Sequence, residues 1–146
     1  MLLGQYKAKL TDKNRISVPK RFREELGSEM VIAKWYEKCL VLVSKANWQR
    51  LIKRLTGKTE IITSPVRDID RFIFGSAFEI DLDSQGRFVL PESLKDYSDV
   101  KTEVFFIGLG DRVEIWPAET WTNMEKEAEK KASEAIEKLN ESTKGK

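Results

Sequence analysis

Ten residues of this chain occur twice in almost the same form. Leu10-Thr-Asp-Lys-Asn-Arg15-Ile-Ser-Val-Pro19 returns as Leu82-Asp-Ser-Gln-Gly-Arg87-Phe-Val-Leu-Pro91. The offset is 72 residues from Leu10 to Leu82, from Arg15 to Arg87 and from Pro19 to Pro91, and it also lays Tyr6 on Phe78 and Ala8 on Ile80. A fixed offset means that one structural unit is used twice, so any fold assigned to the first copy must also fit the second. Each copy sets an arginine directly after Asn14 or Gly86, residue types that reach positive φ easily. What the copies share is a guanidinium presented just beyond a tight turn.

The hydrophobic pattern fills in the unit. Gly4 to Leu10 alternates, with Tyr6, Ala8 and Leu10 on one side and Lys7 and Lys9 on the other, which predicts a half-buried strand. After the turn at Thr11 to Asn14 the alternation resumes, with Ile16 and Val18 inward and Arg15 and Ser17 outward. Pro19 suits a first helical residue, Phe22 and Leu26 fall four apart, and Gly27 supplies a stop. Strands are predicted over Met30 to Tyr36 and Cys39 to Val43, followed by a helix capped by Ser44 with Trp48, Leu51, Ile52 and Leu55 on one face. The connection from Lys58 to Gly75 carries a helix-start signal at Ser64-Pro65 and a stripe of Val66, Ile69, Phe72 and Ile73. The second copy repeats the order: strands at Ala77 to Leu82, Arg87 to Leu90, Glu103 to Gly108 and Arg112 to Trp116, with a short helix after Pro91. A closing helix opens at Pro117 and carries Trp121 where the first copy carries Trp48; both tryptophans are expected to pack in the core. Beyond Trp121 a charged helix has a thin seam of Met124, Ala128, Ala132, Ala135, Ile136 and Leu139, and Glu141 to Lys146 are expected to be disordered.

A net charge of +2 conceals an uneven distribution. Residues 1–60 hold 14 lysines and arginines against 6 aspartates and glutamates, whereas residues 61–146 hold 12 against 18. The first 23 residues alone carry Lys7, Lys9, Lys13, Arg15, Lys20, Arg21 and Arg23 against the single acid Asp12. So concentrated a positive field points to a polyanion partner.

Other classes of activity lack their chemistry. With no histidine in 146 residues, a Ser-His-Asp or Cys-His nucleophile system is excluded, and Cys39 inside an apolar run reads as structural. One cysteine and no histidine cannot supply the usual zinc ligands, and a lone thiol fits a reducing compartment. Asp81, Asp83, Gln85, Gly86 and Glu92 mimic the spacing of a calcium loop, but Gln85 is a poor ligand, Pro91 occupies the eleventh place and the entering segment is strand-like. The expectation is therefore no catalysis, no cofactor, no metal and no small-molecule substrate. The N-terminus turns polar too soon for a signal peptide and no apolar stretch approaches membrane-spanning length, so a cytoplasmic chain with no membrane partner is expected.

The doubled Leu-x-x-x-(Asn/Gly)-Arg-x-x-x-Pro unit, the aromatic two residues before Ala8 or Ile80, and the Pro19-Lys-Arg-Phe-Arg23 helix resemble the MraZ family, whose chains carry two SpoVT-AbrB-type repeats. The likeness covers about residues 1–125. It implies an α+β fold, a swapped-hairpin (double-split) β-barrel formed by both repeats, with flanking helices and a C-terminal helix. The boundaries that follow are a first repeat over 5–48, a helical connection over 49–76, a second repeat over 77–121, and a charged helix with a disordered tail over 122–146. The likeness further implies a sequence-specific regulator of transcription that binds double-stranded DNA. Its expected targets are short direct repeats upstream of a bacterial division and cell-wall gene cluster. It implies assembly with itself as a ring, and association with the nucleoid. An antitoxin-like protein-interaction module of the same superfamily is the alternative.

The family's Asp-x-x-x-Arg motif is intact as Asp83 to Arg87; in the first copy Thr11 replaces the aspartate and Asn14 the glycine. Lys7 and Lys9 correspond to Glu79 and Asp81, so the first copy is expected to be the principal DNA face. The candidate nucleic-acid-binding residues are Lys7, Lys9, Lys13, Asn14, Arg15 and Arg87. The arginines would read bases and the lysines would hold phosphates.

Overall fold

Each copy folds into the predicted order of strand, turn, strand, short helix and hairpin, and the two copies then exchange strands. In the computed structural model, which describes residues 1–57 and 63–144, the first copy supplies β1 (Leu2–Lys9), β2 (Arg15–Ser17), α1 (Lys20–Leu26), β3 (Glu29–Lys34), β4 (Leu40–Ser44) and α2 (Lys45–Leu55). The predicted cap is present, since Ser44 Oγ accepts the Asn47 N–H at 3.2 Å. Helix α3 (Ser64–Ile73) connects the copies, with Pro65 in its first turn, where a missing N–H costs nothing. The second copy supplies β5 (Phe78–Asp81), β6 (Arg87–Val89), α4 (Glu92–Ser98), β7 (Glu103–Gly110), β8 (Val113–Pro117) and α5 (Ala118–Lys144).

The main sheet runs β1-β7-β8-β4-β3-β5, with every ladder antiparallel. The first strand of each copy therefore lies against the hairpin of the other: β1 on β7 and β5 on β3. A second, two-stranded sheet pairs β2 with β6. Its central pair is Ile16 with Phe88, two residues that occupy the same place in the repeat. A residue paired with its own counterpart marks a pseudo-two-fold axis through the ribbon.

Period-two alternation divides the main sheet into two faces. Met30, Ile32, Leu40, Leu42, Val104 and Phe106 turn to one side, where Ile16 and Phe88 of the ribbon and Phe22 and Leu94 of the short helices cover them. Val31, Ala33, Val41, Val43 and Ile107 turn to the other, beneath Trp48 and Leu51 of α2 and Ile73 of α3. Phe22 and Phe106 are fully buried, each worth about 2–3 kcal/mol by removal of apolar surface from water. The one nearly buried carboxylate of the sheet, Glu114, accepts from Trp116 Nε1 at 2.9 Å and Arg112 Nε at 3.2 Å.

One expectation, the disordered tail, needs correction, and the tryptophans and the seam can be placed. Trp48 is buried as predicted, and Trp121 packs half-buried against the same core cluster, on Trp116, donating its indole N–H to Gln5 at 3.1 Å. The tail expected to be disordered from Glu141 continues as helix through Lys144, because the i,i+4 ladder needs no tertiary partner to propagate once α5 is seated. Beyond Met124 the seam is exposed, with Ile136 at 59% accessibility. Part of the predicted connection, residues 58–62, lies outside the described residues.

Gly108, opposite Gly4 in the β1–β7 ladder, lies where a Cβ would come within 2.6 Å of the Leu2–Leu3 backbone. Gly108→Ala is expected to destabilise the chain by about 1–3 kcal/mol through overpacking. Urea denaturation measures the loss, and hydrogen exchange should show β1 as the first strand to open.

Candidate nucleic-acid interface

The two arginine turns are built alike. In the first, the Thr11 N–H donates to Arg15 O at 2.9 Å and the Asn14 N–H to Thr11 O at 3.0 Å; in the second, Asp83 donates to Arg87 O at 2.9 Å and Gly86 to Asp83 O at 3.0 Å. Both turns need a left-handed residue, and they have it in Asn14 (φ 59°) and Gly86 (φ 76°). The Thr11 substitution keeps half of the motif's function. Thr11 Oγ1 accepts the Arg15 N–H at 3.0 Å, as Asp83 Oδ1 accepts the Arg87 N–H at 3.0 Å. What threonine cannot supply is the ion pair between Asp83 Oδ2 and Arg87 Nε at 3.0 Å.

Each turn is held by the other copy. The Leu90 N–H donates to Asn14 O at 2.7 Å and the Val18 N–H to Gly86 O at 3.0 Å. Arg23 of α1 reaches across to Gln85 O at 3.1 Å, and its counterpart Lys95 of α4 reaches Asn14 Oδ1 at 3.0 Å. Gly86 is buried under the Arg23 guanidinium, so a side chain there would both strain the left-handed backbone and push Arg23 aside. The turns are thus fixed from both ends before any ligand arrives.

The ladder decides where the arginines point. Ile16 and Phe88 face the core, so the directly opposed pairs Arg15–Val89 and Ser17–Arg87 share the outward face. Arg15 and Arg87 are diagonal neighbours on that face, with side chains about 7–8 Å apart at their bases. Both are half-buried. Arg87 is ion-paired to Asp83 through Nε, with its terminal nitrogens outside that ion pair; among the described residues Arg15 has no ion pair.

The remaining candidates divide. Lys13 stands exposed in the first turn, beside the ribbon. The Asn14 amide is engaged, accepting from Lys95 and donating to Glu92 Oε2 at 3.3 Å. Lys7 and Lys9 project from the face of β1 opposite to Tyr6 and Ala8, away from the ribbon; Lys7 pairs with Glu103 at 3.2 Å and lies 5.8 Å from the Phe105 ring centroid. They meet the ribbon only along the free edge of β1, in a groove of about 510 Å³ that they share with Ser17, Pro19, Lys20 and Arg21. Cys39, the one thiol, is buried, and desolvation first, then the nearby Glu114 and Glu37, push it well above its ordinary pKa. Among the described residues, no group of three or more Cys, Asp and Glu is placed to hold a metal, and no helix is long and apolar enough to cross a membrane.

Comparison with known proteins gives a family. Residues 1–72 and 73–141 each match the family described as "MraZ protein, putative antitoxin-like". The chain belongs to the MraZ family. It is 40% identical to the "Transcriptional regulator MraZ" of Syntrophomonas wolfei over 139 residues, which span 95% of this chain and 96% of that one. Similar relatives under the same name come from Caldanaerobacter subterraneus subsp. tengcongensis, at 36% over 95% of this chain and 96% of the relative, and from Thermoanaerobacter sp., at 34% over 97% and 98%.

Two features of the site were missed by reading the sequence: the crosswise clasp by Arg23 and Lys95, and the membership of Lys20 and Arg21 in the groove. The signal for the clasp was present, because residues 23 and 95 are both cationic at the repeat offset. What it required was the register that sets each turn beside the other copy's short helix.

Asp83 is held below the ordinary carboxylate range, first by the Arg87 backbone N–H, with the Gln85 N–H and the Arg87 side chain adding to it against a desolvation cost. A depressed folded-state pKa contributes stability that is complete above the ordinary carboxylate pKa and is lost as pH falls through the lowered value. Wild type is therefore expected to melt above Asp83→Asn at pH 7, with the gap closing only in acid below the usual carboxylate range. A gap that stays constant with pH would separate Asp83 from this role.

Proposed function

We propose that this chain is a sequence-specific DNA-binding regulator of transcription. The observation that carries the reading is the single outward face shared by Arg15 and Arg87 on the β2–β6 ribbon. The major groove admits a two-stranded β-ribbon, and an arginine fork matches guanine O6 and N7. The relatives' shared name, transcriptional regulator, supports the same conclusion. No enzymatic step and no cofactor enter the proposal.

Arg15, Arg87 and Lys13 would meet the duplex directly. Asn14 would shape the turn through its left-handed backbone and its hydrogen bonds to α4, and Lys7 and Lys9 would reach only phosphates at the margin. A ribbon this short gives weak binding alone, so several subunits on tandem direct repeats, such as those expected before a division and cell-wall gene cluster, would gain by effective concentration. A ring of copies supplies that arrangement, and the basic first half against the acidic second half suits head-to-tail contact. The exchanged strands and the ribbon lying across them are consistent with a swapped-hairpin barrel. A regulator of this kind would reside in the cytoplasm, on the nucleoid.

One observation favours a second reading, an antitoxin-like interaction module: α5 runs on to Lys144, well beyond the core contact of Met124 and the Gln5–Glu125 hydrogen bond, and carries Ile136 exposed on its surface. Removing residues 127–146 separates the two, since a DNA reader keeps its affinity and a module that docks through this helix loses its partner.

Arg87 is partly neutralised by Asp83 and Arg15 is not, so the two arginines should fail differently. Arg15→Ala should lower affinity for duplex DNA most and reduce the slope of log affinity against log salt by about 0.9 per subunit. Arg87→Ala should cost about 1–3 kcal/mol of discrimination between cognate and altered sites. Gel-shift titrations over a salt series measure both. A wild-type slope near zero would end the DNA reading.

A further inference from the structure

The ribbon that carries Arg15 and Arg87 is two-fold in its backbone but not in its flanks. Beyond Ser17 lies the groove along the free edge of β1, with Lys7, Lys9, Lys20 and Arg21 on its walls. The pseudo-dyad carries those four positions onto Glu79, Asp81, Glu92 and Ser93, beside the free edge of β5 and beyond Val89. Internal ion pairs reduce the contrast without removing it. Glu103 takes Lys7 at 3.2 Å and Lys45 takes Glu79 at 3.6 Å. Among the described residues, Lys9, Lys20 and Arg21 then stand without ion pairs on one flank, and Asp81 and Glu92 without them on the other.

We infer that the groove is a phosphodiester site, and that its presence on one flank alone makes each subunit grip a duplex on one side of the ribbon. The inference rests on the DNA reading above and extends it to Lys20 and Arg21. A backbone phosphate beyond the Ser17 end meets the groove's several cations, whereas one beyond the Val89 end, past Arg15 itself, meets the carboxylates of Asp81 and Glu92 and is repelled by them. A reader with true two-fold symmetry is matched by a palindrome. One with a single clamp is matched by a non-palindromic element that has a direction, and copies arranged head to tail would then read the same element repeated in one orientation.

Ethylation interference on a duplex selected by the purified full chain from random fragments tests this. Wild type should show interfering phosphates beyond one end of the contacted bases only. Lys20→Gln/Arg21→Gln should lose that interference and lower the salt slope by about 1.8 per subunit, two phosphates at about 0.9 each. Glu79→Lys/Asp81→Lys should gain interference beyond the opposite end, a result that a folding defect cannot mimic. Equal interference on both sides in wild type overturns the inference. So does a Lys20→Gln/Arg21→Gln variant that changes oligomeric state while its interference pattern stays intact, which would assign the groove to the acidic edge of a second copy. The two levels fail separately: if Arg15→Ala/Arg87→Ala binds the duplex as wild type does, or wild type retains no duplex, the ribbon reading falls and the groove with it. If that variant loses binding while the groove variants change nothing, the groove alone falls.

Discussion

Everything in this molecule depends on the antiparallel pairing of β2 with β6 across the pseudo-dyad. Three residues from each copy form it, and the Ile16–Phe88 pair at its centre closes one hydrophobic core. Because the strands come from different copies, the pairing places two separately encoded arginines on one surface. It also sets each arginine turn beside the other copy's short helix, where Arg23 and Lys95 clasp it. Non-local pairing of this kind costs chain entropy, and the clasps together with the exchanged strands β1 and β5 offset that cost.

Much of the fold was legible from local pattern. The alternation in Lys7–Leu10 and Arg15–Val18 fixed which residues face inward, and Ser44 and Pro65 marked helix starts that the structure keeps. What alternation cannot specify is the neighbour. A period of two assigns a side chain to a face but does not say which strand lies beside it. That Leu2 to Lys9 would run along Gly110 to Glu103, 94 to 108 residues away, followed from nothing local.

The site divides in the same way. Arg15 and Arg87 could be named because the repeat offset picks them out, and their outward direction followed from Ile16 and Phe88 being apolar. Their adjacency could not be read, because it is a property of the ladder. Lys7 and Lys9 were correctly placed outside the strand, yet the sheet turns that outer side away from the ribbon, so sequence proximity to Arg15 overstated their spatial proximity. The exchange of aspartate for Thr11 was readable as a loss of charge; that the hydroxyl still holds the turn depends on its three-dimensional placement beside the Arg15 N–H.

The exchange of strands gives the chain an unusual internal economy. Severed between α2 and α3, either half would expose the hydrogen-bonding edges and apolar surfaces that its twin now covers, and would find its best complement in another half like itself. The molecule has the organisation of a homodimer whose two protomers were joined end to end and then free to diverge. Joining them removes the concentration dependence that governs separate subunits. It also permits what identical subunits cannot have, a left hand that differs from the right.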